Sequence, residues 1–271
     1  MSQDKEKLRE QDLKHSFVIC AYGESPFLED CIQSLLSQKH PSQCAVATST
    51  PSDFLSAICE KHHLPLYVNE NGGGLSKDWN FALSCAQTPL VTIAHQDDLY
   101  LPDYSLNIIK AAKQGCNPLI LYTDYHELIG DRRVRTSLNL KIKRIANLQL
   151  RLKALRGTRF FKRLGLRFCA SIPCPAVCFY LPNTGTAPFE SDFSFVADWD
   201  CWETLSRRVG EFVFVPQMGM IHRLHENSQT QLATSSELRN REEQLIFDQF
   251  WPKPVAKILA RLYSLSQKTR K

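Results

Sequence analysis

Two phosphate-binding signatures are missing from this 271-residue chain. No G-x-G-x-x-G follows its first strand-like segment and no G-x-x-x-x-G-K-[ST] occurs anywhere, so a dinucleotide-binding fold and a P-loop NTPase are poor readings. Long hydrophobic runs are missing too. No apolar stretch approaches the length of a membrane span, and the opening MSQDKEKLREQDLK is too charged for a secretory signal. The ten cysteines are scattered singly from Cys20 to Cys201, without the dense spacing of a disulfide framework. Their tightest group, Cys169, Cys174 and Cys178, lacks the closer pair and fourth ligand that zinc wants, so small buried thiols are expected. These absences fit a reducing cytoplasm.

Acid is missing from two stretches. Residues 132–168 hold thirteen Lys or Arg with no Asp or Glu, and residues 253–271 hold six more, again with none. Of 33 basic residues these stretches take nineteen, leaving 14 against 28 acidic ones in an otherwise acidic chain. Within the first block Leu138, Leu140, Ile142, Ile145, Leu148, Leu150, Leu152 and Leu155 interleave with the cations. Such a basic amphipathic stretch suits an anionic membrane surface or another polyanion.

What is present reads as α/β. A hydrophobic content of 43% and a charged content of 23% are ordinary for a globular protein, and the length allows one large domain or two small ones. SFVICAY (16–22), CAVATS (44–49), LPLYVN and PLVTIAH read as strands, separated by the helical patterns PFLEDCIQSLLSQ, SDFLSAICEKHH and SKDWNFALSCAQ. Strands alternating with single helices predict a mostly parallel sheet flanked by helices. Ligands of such sheets sit beyond the carboxyl ends of the strands. Tyr22, Ser49, Asn71 and the run His95, Gln96, Asp97, Asp98 all fall there. Two adjacent carboxylates repel each other, and burial makes ionising both harder, so solvent, hydrogen-bond donors or a cation must offset the repulsion. A polar turn alone is the plainer alternative. Gly72, Gly73 and Gly74 read equally as a flexible turn or as backbone lying close to a ligand.

With these motifs in order, the sequence resembles family 2 glycosyltransferases of the GT-A (Rossmann-like) fold, of the type that builds bacterial cell-surface glycans. The resemblance is carried by SFVICAYGESPFLEDCIQSLLSQ, NENGGGLSKDWNFALSCAQTPLVTIAHQDDLYLPDY, FVADWDCWETLSRRVGEFVFVP and HRLHENSQT. It implies a nucleotide-diphosphate sugar donor, foremost a UDP-sugar, a glycan or lipid-linked acceptor, Mn2+ or Mg2+, an inverting reaction and no nucleic-acid partner. The family's D-x-D falls on His95, Gln96 and Asp97, with His95 in place of the first acid. By resemblance Asp97 holds the ribose, Asp98 coordinates the cation, and His225 completes its shell. Asp198 matches the general base, with Ala197 replacing the preceding acid and Asp200 as fallback. Asp198 also suits a helix N-cap. Ala21, Tyr22, Glu24, Ser49, Asn71, Gly74, Asp78 and Asn80 match nucleotide-sugar-binding positions; the acidic pair that can grip a uracil is absent, Thr48, Ser49 and Thr50 standing there.

The expected division is a charged tail (1–14) and a catalytic domain (15–230), followed by a helical basic tail (231–271). Within the domain lie a nucleotide-sugar half (15–125), a basic helical insertion (126–168) and an acceptor half (169–230). The expected location is cytoplasmic, with peripheral contact at the inner face of the plasma membrane. Two rival readings are a catalytically impaired sugar-binding module, given His95 and Ala197, and a nucleic-acid-binding protein acting through the basic block.

Overall fold

The structure, a computed structural model, describes residues 13–225 and 237–268. Its first half alternates as the apolar patterning predicts: β1 (His15–Ala21), α1 (Leu28–Leu36), β2 (Gln43–Thr48), α2 (Asp53–Lys61), β3 (Leu66–Val68), α3 (Leu75–Ser84) and β4 (Leu90–His95). These four strands are mutually parallel in the order β3-β2-β1-β4. Ser52 begins α2, its hydroxyl accepting from the amide of Leu55 at 3.3 Å.

The second half departs from simple alternation. It contains β5 (Leu99–Tyr100), α4 (Tyr104–Gln114), β6 (Pro118–Ile129), β7 (Arg132–Val134), α5 (Leu138–Ala146), α6 (Arg159–Leu166), β8 (Val177–Tyr180), α7 (Leu181–Thr184), α8 (Ala197–Arg207), β9 (Glu211–Leu224), α9 (Glu237–Asp248) and α10 (Lys253–Lys268). The sheet continues past β4 as β8-β6-β9-β5, with β7 on β6. β8 is antiparallel to both neighbours, β6 and β9 are parallel, and β5 is antiparallel to β9. Register shifts interrupt the β6–β9 pairing around Asp124. Such bulges bend and re-aim strands, and here they precede the strand ends that reach the site.

Successive side chains on a strand face opposite sides, so the sheet buries two cores. Val18, Ile93, Ile120, Phe179 and Phe212 pack with α3, α8, α9 and α10. Phe17, Ile19, Ala94, Leu121 and Val213 pack with α1, α2 and α4. Both faces are therefore covered by helices.

The basic segment is woven into this body. Residues 126–129 belong to β6, so the boundary expected at 126 falls inside a strand. Six of the thirteen cations are buried or half-buried: Lys143, Arg144, Arg156, Lys162, Arg163 and Arg167. Arg144 pairs with Asp124 at 2.8 Å, and Arg163 pairs with Glu203. Lys162 donates to the carbonyls of Arg208 and Gly210 at 2.7 and 2.9 Å, closing the end of α8. Of the C-terminal segment, α9 and α10 are helical as expected, and residues 226–236 lie outside the described ones.

Candidate active site

The carboxyl ends of β1 and β4 meet the end of β9 around the turn at residues 95–98. The turn itself closes by the amide of Asp98 donating to the carbonyl of His95 at 3.1 Å. Its two carboxylates are satisfied separately. Asp98 is 1% exposed; it accepts from the backbone amide of Arg223 at 2.9 Å and meets His222 Nδ1 at 3.0 Å. Asp97 faces the other way, accepting from Ser25 Oγ at 2.6 Å and meeting His225 Nε2 at 3.0 Å. The Arg223 guanidinium stacks on Phe27 at 4.2 Å and donates to the carbonyl of Asp97 at 3.0 Å. Burial alone pulls the His222 imidazole down, but the Asp98 charge prevails and leaves its pKa above the ordinary value.

The two acids to which the resemblance gives separate roles have different surroundings. Asp98, matched there to the cation, is closed off by two β9 partners. Asp97, matched to the ribose, is the carboxylate that stands with His225 and retains access to solvent. Among the described residues no group of three or more His, Cys, Asp or Glu side chains is gathered closely enough to hold a metal ion. Asp97 and His225 form a two-donor oxygen–nitrogen set, which suits a divalent cation whose remaining positions come from a ligand's oxygens and water.

His95 ends β4. Its ring stacks on Trp79 of α3 at 5.4 Å, and its Nε2 is buried without a partner among the described residues. Burial lowers its pKa, so the imidazole is neutral at pH 7. Gln96 clamps Tyr22: its Oε1 accepts from the Tyr22 amide at 3.2 Å and its Nε2 donates to the Tyr22 carbonyl at 2.9 Å. That holds the backbone after the buried Ala21 while leaving the Tyr22 side chain 66% exposed beside the exposed Glu24.

The neighbouring polar positions divide into scaffold and open surface. Asp78 accepts from Ser49 Oγ and Asn69 Nδ2, both at 2.9 Å, tying α3 to the ends of β2 and β3. Asn80 holds the Phe189 backbone at both its amide and its carbonyl. Asn71 is exposed in the glycine loop. A Cβ on Gly72 would approach Ser49 Cβ to 2.4 Å, and Gly74 starts α3 at a φ of +131°. Gly72 is thus held by close packing, while Gly73 and Gly74 stand in open space and need glycine for their positive φ, +136° and +131°.

Asp198 stands in the first turn of α8 rather than at its cap, which is Val196. Its Oδ1 accepts from the Trp199 amide at 2.7 Å. Burial raises its pKa; that amide and the charges of Lys143 and Arg239 oppose the rise. Asp200, the fallback, is buried and its Oδ1 accepts from Gln249 Nε2 at 2.8 Å. The thiol of the buried Cys174 is pushed up by burial first, and then by the charges of Asp198 and Asp98, so both acids lie near it.

With this arrangement described, comparison settles the family. The profile of glycosyl transferase family 2 matches residues 16–169, more than half of the chain. The chain belongs to this family. No curated protein matches the sequence. Among solved structures, S. aureus TarS residues 1–349 is 14% identical, with a TM-score of 0.62 over 92% of this chain and 69% of that one. The same TarS segment in complex with UDP-GlcNAc gives 16% identity and a TM-score of 0.61, over 92% and 70%. The mannosyltransferase PcManGT from Pyrobaculum calidifontis, in complex with GDP-Man and Mn2+, gives 16% and 0.57, over 97% and 75%. At these identities the likeness shows the fold, which is GT-A.

The glycosyltransferase family segment ends at 169, before Asp198, His222 and His225. Three contributors escaped sequence reading: Ser25, Arg223 and Lys143. Ser25 sits inside a quoted motif, but nothing local marks which acid it serves. Lys143 lies in the basic block and is singled out only when its Nζ is seen donating to Tyr125 Oη at 3.1 Å.

Proposed function

We propose that this glycosyltransferase moves a sugar from a nucleotide-diphosphate donor to an acceptor hydroxyl, with inversion, using Asp198 as general base and Asp97 with His225 as the protein ligands of Mn2+ or Mg2+. The observation that carries the reading is the convergence of the β1, β4 and β9 ends on Asp97, opposite Asp198. The acceptor oxygen attacks the anomeric carbon, its proton passes to Asp198, and the bond from that carbon to the diphosphate oxygen breaks. A bound divalent cation would supply neutralisation of the charge developing on the leaving diphosphate. Asp97 and Ser25 orient that region, and Asp98 holds the His222–Arg223 strand end against it. Asp198 suits the base because, among the described residues, no hydrogen bond ties its second oxygen to another element, whereas Asp200 is tied to Gln249.

TarS with UDP-GlcNAc and PcManGT with GDP-Man favour a nucleotide-sugar donor. Tyr22, exposed at the mouth of the β1 loop, is positioned to pack on a base or ribose. His95 and Asn71 complete the donor side, in the setting of cell-surface polysaccharide synthesis on a glycan or lipid-linked acceptor. The test is calorimetric titration of UDP, UDP-GlcNAc and GDP-Man with and without Mn2+, in wild type, Asp97→Ala and Asp98→Asn. Loss of the Mn2+-dependent part of the affinity in Asp97→Ala supports the assignment. Unchanged Mn2+ dependence there, with loss in Asp98→Asn, returns the metal to Asp98.

A further inference from the structure

Helix α5 is amphipathic on both counts: it has an inner face engaged with the protein and an outer face that is apolar and bare. Inward, Leu140 is buried, Arg144 pairs with Asp124, and Lys143 reaches Tyr125. Outward, Leu138 is 76% exposed, Ile142 49% and Ile145 69%. Their spacing of four and three puts them on one side of the helix. The ridge continues through the following turns as Leu148 and Leu152, 53% and 62% exposed. Five contiguous aliphatics in water are not what a solitary surface displays.

The surroundings identify what covers them. Of the seven exposed cations of residues 132–168, Lys141 is on α5 and Arg151 and Lys153 are on the turns after it, Arg135 precedes the helix and Arg159 opens the next one, and no acid interrupts them. A second copy meeting this face by two-fold symmetry would set the same cationic field against itself. A nucleic acid would match the charge but offers no apolar counterpart to the ridge. An anionic bilayer surface offers both, headgroup charge and an acyl boundary. No described helix is long and apolar enough to cross a membrane, so such a contact is peripheral.

We infer that the outer face of α5 and the turns after it dock this enzyme on an anionic lipid surface, the ridge entering the headgroup–acyl boundary and the cations flanking it. The inner face of the same helix carries Lys143, whose charge acts on Asp198. Docking there turns the acceptor side of the cleft toward the bilayer, where a lipid-carried acceptor would present its hydroxyl. That orientation rests on the glycosyl-transfer reading above; the contact rests on the ridge and its charges.

The experiment is co-sedimentation of the full chain with phosphatidylglycerol–phosphatidylcholine vesicles and with pure phosphatidylcholine, at low and high salt. One variant is Ile142→Ser/Ile145→Ser; another is Lys141→Gln/Lys153→Gln/Arg159→Gln; Leu138→Gln alone is a milder third. Wild type should bind the anionic vesicles and release with salt. The charge variant should weaken binding by about fivefold per charge, and the ridge variant by about tenfold or more. Melting temperature and Mn2+-dependent UDP affinity should stay unchanged in all three. Equal pelleting of wild type and every variant overturns the inference, as does equal binding to neutral vesicles. Loss of self-association in the ridge variant, without vesicle binding by wild type, assigns the face to a second copy instead. Vesicle binding with no nucleotide affinity would leave the docking standing and sink the glycosyl-transfer reading.

Discussion

Asp97 and Asp98 are adjacent in sequence and opposite in use. A strand end that finishes in a turn can send consecutive side chains apart, and here Ser25 and His225 take one while His222 and the Arg223 amide take the other. The sequence shows that both acids need partners; it does not show which, because His222, Arg223 and His225 lie more than 120 residues away at the end of β9, and Ser25 lies 72 residues away in the loop after β1. Asp198 makes a sharper prediction. Asp198→Asn is nearly isosteric and still occupies the first helical turn, so donor binding should persist while turnover falls by roughly 10²–10⁴-fold, measured as product formed at saturating donor. Asp200→Asn should instead lower the melting temperature, since it weakens the contact with Gln249. Because burial raises the Asp198 pKa, the acid limb of the pH–rate profile should lie above the ordinary aspartate range, and Lys143→Met should move it higher still. A limb unmoved by Lys143→Met would remove that lysine from the site's electrostatics.

Lys162 carries a second residue-scale prediction, this time on stability. Burial lowers its pKa to about 8, from an ordinary value of 10.5. In the unfolded chain the amine takes its proton as pH falls through 10.5, while the folded protein takes it only near 8. Stability contributed by this group is therefore lost as pH falls between those values and is flat below. Buried thiols whose pKa is raised oppose this trend at the alkaline end, so the readout is the difference: by chemical denaturation the stability of wild type relative to Lys162→Met should increase as pH rises from 7.5 to 10.5.

Among elements, the first four strands and three helices were legible because their apolar residues repeat with clean periods between polar turns. β6 was not. Its start, PLILY, is a short apolar run, but Thr123, Asp124, His126 and Glu127 follow, and its first ten residues are buried on both faces, so no alternation marks its length. β8 is only four residues long, and no local signal states that it runs antiparallel between two longer strands. The basic block was legible as an amphipathic segment, but not which cations turn inward, since Arg163 and Glu203 are distant in sequence. The approach of α5 to α6 rests on Gly165, where a Cβ would meet the Ala146 carbonyl oxygen at 2.3 Å. Helix propensity alone favours Gly165→Ala by up to about 1 kcal/mol. The backbone clash opposes it, and overpacking typically destabilises by about 1–3 kcal/mol, so the net effect should be a lower melting temperature. A higher one would mean that the two helices separate freely.

At the scale of the whole molecule, a nine-stranded sheet covered on both faces holds the strand-end loops and α8 in one body, with the basic segment packed into it. With His95 and Ala197 where the resemblance implies acids, the proposed constellation rests on Asp97 with His225 and on Asp198. The central claim is that these groups transfer a glycosyl unit from a nucleotide sugar. The direct measurement is release of nucleoside diphosphate from UDP- and GDP-sugars by the full chain, with Mn2+ and with EDTA, in wild type and Asp198→Asn. Mn2+-dependent release is expected from at least one donor, abolished by EDTA and reduced by roughly 10²-fold or more in Asp198→Asn. Release equally fast in the presence of EDTA, or undiminished in Asp198→Asn, would contradict it.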